Sequence, residues 1–167
     1  MITPGYCQTM ARYNAWQNTG LRRIVSDIKP EAFDRDRGAF FGSIGGTLNH
    51  LLWGDLIWMS RIAGHAPPPC GLADSATLTE GPAAWAEARF RADGRISLWA
   101  DEVTSLALVG EIVWTPSGGG ARTLPLAMGI MHMFNHQTHH RGQVHAMLTA
   151  AGITPPTTDL PFMPEAG

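Results

Sequence analysis

Four long stretches of the chain repeat apolar residues at the spacing of an amphipathic helix. Pro30 lies just beyond the first stretch, where a helix is expected to stop. Ser43 is a suitable N-cap for the second, and Gly64 is a suitable residue to end it. Three consecutive prolines make 65–76 a loop, because they cannot continue a helix. The pattern predicts helices over 4–28, 43–63, 82–102 and 126–151.

The stretch EIVWTPSGGGARTLPL, residues 111–126, has a different pattern. It is β-prone on both sides of a Gly-rich run, which predicts a short hairpin. The run Ser117–Gly120 lacks the GxxxxGK pattern and precedes a strand, so we interpret it as a turn and not as a phosphate cradle.

Four helices of this length, each with an apolar stripe, predict an all-α fold: a four-helix bundle with a small hairpin before the last helix. The stripe of the first helix is Tyr6, Met10, Tyr13, Leu21 and Ile24. The second helix is apolar almost all round, which indicates burial on several sides. Either the loops and the hairpin cover this excess, or a second subunit does; we favour a homodimer. Its apolar residues are Leu48, Leu51, Leu52, Trp53, Leu56, Ile57, Trp58, Met59 and Ile62.

Composition narrows the class of protein. Hydrophobic residues make up 44% of the 167 residues and charged residues 16%, which is too apolar for a disordered chain. The net charge of −2 gives no electrostatic footprint for nucleic acid. No apolar stretch is long enough for a transmembrane helix, and the start lacks a signal-peptide pattern, so we expect one cytoplasmic domain over 1–167. Cys7 and Cys70 are too few for a disulfide framework or a cysteine zinc site, and we expect free thiols.

Histidines supply the candidate chemistry, because four of the seven fall between positions 132 and 140. At about 100° per residue, His136 and His140 lie about 40° apart and border the core-facing stripe of the last helix. His132 and His139 lie toward the rim, and His145 points away. Imidazoles at positions i and i+4 project from adjacent turns of one face and can share one metal ion.

Such a site needs a third ligand from another element, since zinc sites take at least three protein ligands. His65 lies in the proline-rich loop, whereas His50 lies among apolar residues of the second helix, where a histidine needs a partner. We therefore predict a metal site at His50, His136 and His140. The alternative for each is a hydrogen-bonded core histidine. His132, His139 and His145 are assigned to the surface or to hydrogen bonds around the site.

Other candidates have less support. Asp55 and Glu111 could serve a site, but their spacing does not single them out. We expect the tryptophans to fill core or dimer contacts; these are Trp16, Trp53, Trp58, Trp85 and Trp99.

Three segments resemble the DinB/YfiT-like family of small metalloproteins. MARYNAWQNTGL resembles the first-helix pattern of that family, and FGSIGGTLNHLLWGDLIWMSR the pattern around its first ligand histidine. NHQTHHRGQVHAMLTAAG resembles the closing motif, with two ligand histidines four apart and RGQ after the second, and the tail TDLPFM fits one branch.

The resemblance implies an up-down-down-up four-helix bundle, commonly dimeric, with a divalent metal held by His50, His136 and His140. Some members of the family are metal-dependent transferases that use low-molecular-weight thiols, or related thiol-dependent isomerases; others have been taken for metal-dependent hydrolases. This chain departs from the family at Ile44-Gly45-Gly46, where members often carry a further His or polar residue. We expect the two glycines to thin the helix there and to widen the site.

The leading hypothesis is a metal-dependent enzyme in which the open metal position lowers the pKa of a bound thiol or water. The cofactor is a divalent ion, zinc or nickel in first place, although imidazoles also suit copper and iron. The substrate would be a small thiol or another small molecule. The alternatives are a metal-dependent hydrolase and a non-catalytic, stress-related metal-binding dimer. In the second, the metal is closed by a fourth ligand such as His139 or His132.

Overall fold

The computed structural model describes residues 2–116 and 119–165, and these residues are mostly helical. A two-stranded antiparallel hairpin precedes the last helix, as predicted, but Ser117 and Gly118 of the predicted turn lie outside the described residues. The helices are α1 (Pro4–Asp27), α2 (Pro30–Phe33), α3 (Ile44–Ala63), α4 (Gly81–Glu102) and α5 (Leu126–Ala150). The strands are β1 (Glu111–Trp114) and β2 (Arg122–Pro125), and Leu72–Thr77 and Leu160–Phe162 form 3-10 turns.

Contacts between the helices give the topology. In α1 and α4, Arg22 stacks on Phe90 whereas Asn14 and Asn18 bind Asp93, so these two helices run antiparallel. Trp85 bonds to Leu48 and, farther along both helices, Arg89 bonds to Asp55, so α3 and α4 run parallel. His50 lies opposite His140 whereas Trp58 lies opposite His132, so α5 runs against α3. The four long helices therefore have the predicted up-down-down-up order.

Local chemistry explains where the helices begin and end. The hydroxyl of Thr3 caps α1 by accepting from the Tyr6 amide, and the hydroxyl of Ser43 caps α3 by accepting from the Gly46 amide. Gly64 ends α3 at φ 69°, a left-handed conformation that glycine adopts without strain. Pro30 follows the end of α1, as predicted, but it also starts α2, since its fixed φ suits a first helical position. The predicted loop 65–76 contains most of the 3-10 turn Leu72–Thr77.

The buried face of α1 differs from the predicted apolar stripe. Tyr13 and Leu21 are buried, but Tyr6, Met10 and Ile24 are only half-buried. Three carboxamides occupy the face instead: Asn14, Gln17 and Asn18. The five tryptophans expected to fill core or dimer contacts differ in the same way, because only Trp85 is fully buried.

A buried polar network explains this face. Arg89 of α4 lies 2.5 Å from Asp55 and 2.9 Å from Asp93, and all three are at least nine-tenths buried. Asn14 and Asn18 donate to Asp93 at 3.1 and 2.9 Å. Buried charges need such partners, so Asn14 and Asn18 face α4, whereas Gln17 donates to the carbonyl of Thr157 in the tail.

The excess apolar surface of α3 is largely covered within one chain. The 3-10 turn Leu72–Thr77, the helices α4 and α5, and the strand β1 all pack against it. The homodimer stays a prediction, and its surface would have to come from apolar side chains elsewhere. In the described part of the chain, no helix is both long enough and apolar enough to cross a membrane.

Candidate metal centre

The three histidines predicted from the sequence come together where α3 meets α5. One ring nitrogen from each of His50, His136 and His140 can be chosen so that all lie within 4.8 Å of one another. The Nε2 atoms of His50 and His136 are 3.2 Å apart. Because α5 runs against α3, the pair spaced i and i+4 on α5 faces the single histidine of α3. The geometry therefore assembles a three-imidazole cluster.

Hydrogen bonds orient two of the three rings. Nδ1 of His50 lies 2.9 Å from Oγ of Ser75, which the 3-10 turn supplies, and Nδ1 of His140 lies 2.7 Å from Oε1 of Gln143. Imidazoles that bind metal usually engage their second nitrogen in this way, which fixes the tautomer and directs the other nitrogen to the ion. Nδ1 of His136 is buried and has no hydrogen-bond partner among the described residues.

Close backbone approach positions the His136 ring instead. A Cβ placed on Gly54 of α3 would lie 2.6 Å from Cε1 of His136 and 3.0 Å from its Nδ1. Only glycine leaves room for the ring in its present position. Gly54 follows His50 by one helical turn, so one face of α3 supplies both a candidate ligand and the space for another.

Aromatic rings cover the cluster. Phe41 stacks on His50 with ring centroids 3.8 Å apart and contacts His140 edge-on at 5.5 Å. Trp53 lies 6.1 Å from His50 on a nearly parallel plane. This packing holds the imidazoles in place and limits their contact with water.

The two glycines of the Ile44-Gly45-Gly46 departure do not widen the site, so that expectation is wrong. A Cβ on Gly45 would lie 2.5 Å from the ring of Phe33, and a Cβ on Gly46 would collide with the carbonyl oxygen of Phe41. The space is occupied because the segment before α3 folds tightly against its first turn. The glycines thereby allow Phe41 to reach His50.

Burial keeps the imidazoles neutral at physiological pH. Burial, and next the neighbouring His140, lower the pKa of His50 to about 4. Burial, and next the surrounding histidines, lower the pKa of His136 to about 3. Burial likewise lowers the pKa of His140. Neutral imidazole is the form that binds metal ions, so no proton has to be displaced from these rings at pH 7.

The donor set fits a divalent ion. Tetrahedral ligands at zinc–nitrogen distances of 2.0–2.1 Å stand about 3.3 Å apart, and the nitrogens of His50 and His136 are already 3.2 Å apart. In the residues that the structure describes, no fourth His, Cys, Asp or Glu joins the cluster. Three imidazoles would leave at least one coordination position open.

Two of the other histidines lie beside the cluster, and a third lies away from it. The exposed His132 contacts His136 at a centroid distance of 5.8 Å, and the exposed His139 contacts His140 at 4.8 Å. His145 faces the cleft between α1 and α5. The two carboxylates considered earlier lie elsewhere, since Asp55 is paired with Arg89 and Glu111 is exposed on β1.

Sequence reasoning missed four residues of this site: Ser75, Gln143, Gly54 and Phe41. The spacing of Gln143 three residues after His140 could have revealed it, because such residues are neighbours on a helix. The other three depend on tertiary contacts and left no local signal.

With this geometry established, comparison with known proteins gives the family. The DinB family model matches residues 1–167, and the chain belongs to the DinB family. The protein DinB of Bacillus subtilis (strain 168) is 28% identical over 156 residues, which cover 88% of this chain and 87% of that relative.

Solved structures share the fold. A DinB-like protein from Bacillus cereus ATCC 10987 has a TM-score of 0.65 at 16% identity, covering 85% of this chain and 90% of the other. YfiT from Bacillus subtilis, described as a probable metal-dependent hydrolase with an unusual four-helix bundle topology, has a TM-score of 0.66 at 15% identity, covering 92% of each chain. A variant of the mycothiol-dependent maleylpyruvate isomerase has a TM-score of 0.59 at 14% identity, covering 84% of this chain and 60% of the other. At these identities the similarity establishes the four-helix bundle.

Proposed function

We propose that His50, His136 and His140 bind one divalent metal ion, and that the protein is a metal-dependent enzyme that activates a small thiol for transfer to an electrophilic substrate. The observation that carries the proposal is the convergence of three histidines, one ring nitrogen of each lying within 4.8 Å of the others. A divalent ion with an open coordination position lowers the pKa of a group bound there, which yields a nucleophile near neutral pH. Zinc and nickel are the first candidates, since both accept imidazole ligands.

The greater acidity of thiols favours a thiol over water as the group that the metal would activate. Free cysteine thiols have a pKa near 8.5, whereas water has a pKa of about 15.7. A thiol therefore needs only a small decrease in pKa to ionise at pH 7. One solved neighbour is named for its dependence on mycothiol, which agrees with this choice.

The remaining side chains have defined roles in this proposal. Ser75 and Gln143 orient two rings through Nδ1, and Phe41 shields His50 from water. His132 and His139 are exposed and contact the rings of His136 and His140, so both lie where an arriving thiol would approach the cluster.

Metal substitution tests the proposal. Protein loaded with cobalt or nickel should develop a new charge-transfer band when a small thiol is added, because a thiolate sulfur replaces a harder ligand. The His136→Ala variant should lose this band. The His145→Ala variant should keep it, since His145 lies on the same helix but outside the cluster.

Hydrolysis is the second candidate, because the YfiT neighbour is described as a probable metal-dependent hydrolase. A protein that binds metal, ignores several small thiols and cleaves activated esters would establish this candidate and overturn the thiol proposal. A protein that retains no metal at all would overturn both.

A further inference from the structure

One face of α3 continues beyond the candidate metal centre. His50, Gly54, Trp58 and Arg61 follow one another at intervals of four, four and three residues, so they lie in one row along the helix. The first two shape the three-histidine cluster, and the last two lie about one and two turns beyond Gly54. At 1.5 Å per residue, the Cα of Arg61 lies about 10 Å beyond that of Gly54.

Aromatic rings connect the cluster to Arg61 without interruption. The His132 ring lies 5.8 Å from His136 and 4.8 Å from Trp58. Trp58 in turn lies 6.1 Å from Trp114 of β1. All three connecting rings are exposed or half-buried, so they form a ledge that leads away from the candidate metal centre.

The guanidinium of Arg61 lies at the end of this ledge. Its Cζ is 4.9 Å from the Trp58 ring and 5.7 Å from the Trp114 ring. Arg61 is half-buried, and burial lowers its pKa, yet an arginine side chain stays charged at neutral pH. It donates no hydrogen bond and forms no salt bridge to any residue in the described parts of the chain. A partly desolvated cation without an anionic partner is available to an anionic ligand.

The hairpin adds positive charge to this end of the ledge. Trp114 pairs in register with Arg122, which places the two side chains on the same face of the hairpin. Ile112 is buried against Gly129 of α5, so β1 turns Ile112 and Trp114 inward. Glu111 and Val113 alternate to the opposite, exposed face, which directs the carboxylate of Glu111 away from Arg61.

We infer that Arg61, with Trp58, Trp114 and His132, forms a subsite for the carboxylate end of an elongated substrate whose reacting group lies at the three-histidine cluster. The rise of about 10 Å between the Cα atoms of Gly54 and Arg61 sets the scale for the separation of the carboxylate and the reacting group. A guanidinium fork binds a carboxylate through two hydrogen bonds, and the indoles contact the chain between the two ends. This inference rests on the proposed metal centre.

Hydroxamates test the inference, because a hydroxamate group chelates zinc at an open coordination position. Its binding does not depend on whether the natural nucleophile is a thiol or water. The monohydroxamate of suberic acid carries a carboxylate at the required distance, and its monoamide counterpart is neutral but equally long. Calorimetric titration of the zinc-loaded protein should show that the acid binds about tenfold more tightly than the amide, the advantage of one partly exposed charged hydrogen-bonded pair. The monohydroxamate of succinic acid is too short to reach Arg61, so it should bind no more tightly than its own monoamide counterpart.

Two variants assign the preference to Arg61. Arg61→Gln should lose most of the preference for the acid, with only the weaker attraction of Arg122 remaining, and Arg61→Lys should retain a larger part through its charge. Arg22→Gln is the matched control, because Arg22 also stacks on an aromatic ring, at 4.8 Å from Phe90, but lies on α1. It should behave as the parent protein.

The outcomes separate this inference from the proposed function. Equal affinity of the parent protein for acid and amide overturns the inference alone. A preference of the parental size in Arg61→Gln also overturns it. A protein that takes up no zinc, or a zinc-loaded protein that binds none of these hydroxamates, overturns the open metal centre itself and the inference with it.

Discussion

Gly54 gives the sharpest prediction, because the structure fixes what a single methyl group would do. A Cβ at position 54 would lie 2.6 Å from Cε1 of His136 and 3.0 Å from Nδ1. Carbon atoms in contact normally stand 3.5–4.0 Å apart, so the His136 ring has to move by about 1 Å. The ring ends a side chain, so it can rotate away at little cost to the fold.

The same movement is costly for metal binding. Metal–ligand distances have to hold within about 0.2 Å, which a displacement of about 1 Å exceeds. We expect Gly54→Ala to lower zinc affinity by about 10- to 100-fold, the size of effect seen when the support of a ligand is removed. The helix itself gains from alanine by up to about 1 kcal/mol, so the free energy of unfolding of the metal-free protein should change little.

Competition with a chromophoric chelator measures the zinc affinity, and thermal unfolding of the metal-free protein measures stability. Gly142→Ala is the matched control: it also replaces a helical glycine, and a Cβ there would meet no atom of the described residues within 4 Å. It should leave zinc affinity unchanged. Parental zinc affinity in a stably folded Gly54→Ala protein would refute the assignment of His136 as a ligand.

Three further predictions concern the surroundings of the site and the assembly. Ser75→Ala and Gln143→Ala should each reduce zinc affinity by about tenfold in the same competition assay, because a ring loses its orienting hydrogen bond; unchanged affinity in both would contradict that role. Asp55→Ala should lower the free energy of unfolding by about 3–5 kcal/mol in urea titration, since it leaves the buried Arg89 short of a partner. The control is Glu87→Ala, which breaks the exposed ion pair of Glu87 with Arg91 and should lower the free energy of unfolding by less than about 1 kcal/mol. Similar losses in the two variants would contradict the importance of burial. Sedimentation equilibrium at micromolar concentration should give about twice the chain mass of 18.0 kDa, and a single species at the chain mass would refute the homodimer.

The parts of the fold that depend on local chemistry could be predicted from the sequence. Helix α3 begins after Ser43 and ends at Gly64, as predicted, because an N-cap hydroxyl and a left-handed glycine act within one helical turn. The convergence of His136 and His140 was also predictable, since the i, i+4 spacing determines that both rings share a face. His50 could be paired with them because a histidine within an apolar helix needs a partner.

The parts that depend on contacts between distant segments could not be predicted. Asn14, Gln17 and Asn18 look like a polar, solvent-facing surface in the sequence, but Asp93 on α4, Arg141 on α5 and the backbone of the tail supply the hydrogen bonds that make their burial favourable. Ser75 reaches His50 from a turn 25 residues away. The two glycines after Ile44 indicated open space, but Phe33 and Phe41 fill it, and the sequence does not show which side chain packs on a glycine.

Metal content tests the central claim most directly. The parent protein, purified without chelators and saturated with zinc, should retain one zinc ion per chain after gel filtration, as measured by elemental analysis. His50→Ala, His136→Ala and His140→Ala should each lose most of it while remaining folded by circular dichroism, because the bundle core is independent of the metal. His145→Ala should retain it. A full complement of zinc in the His50→Ala protein would contradict the three-histidine centre.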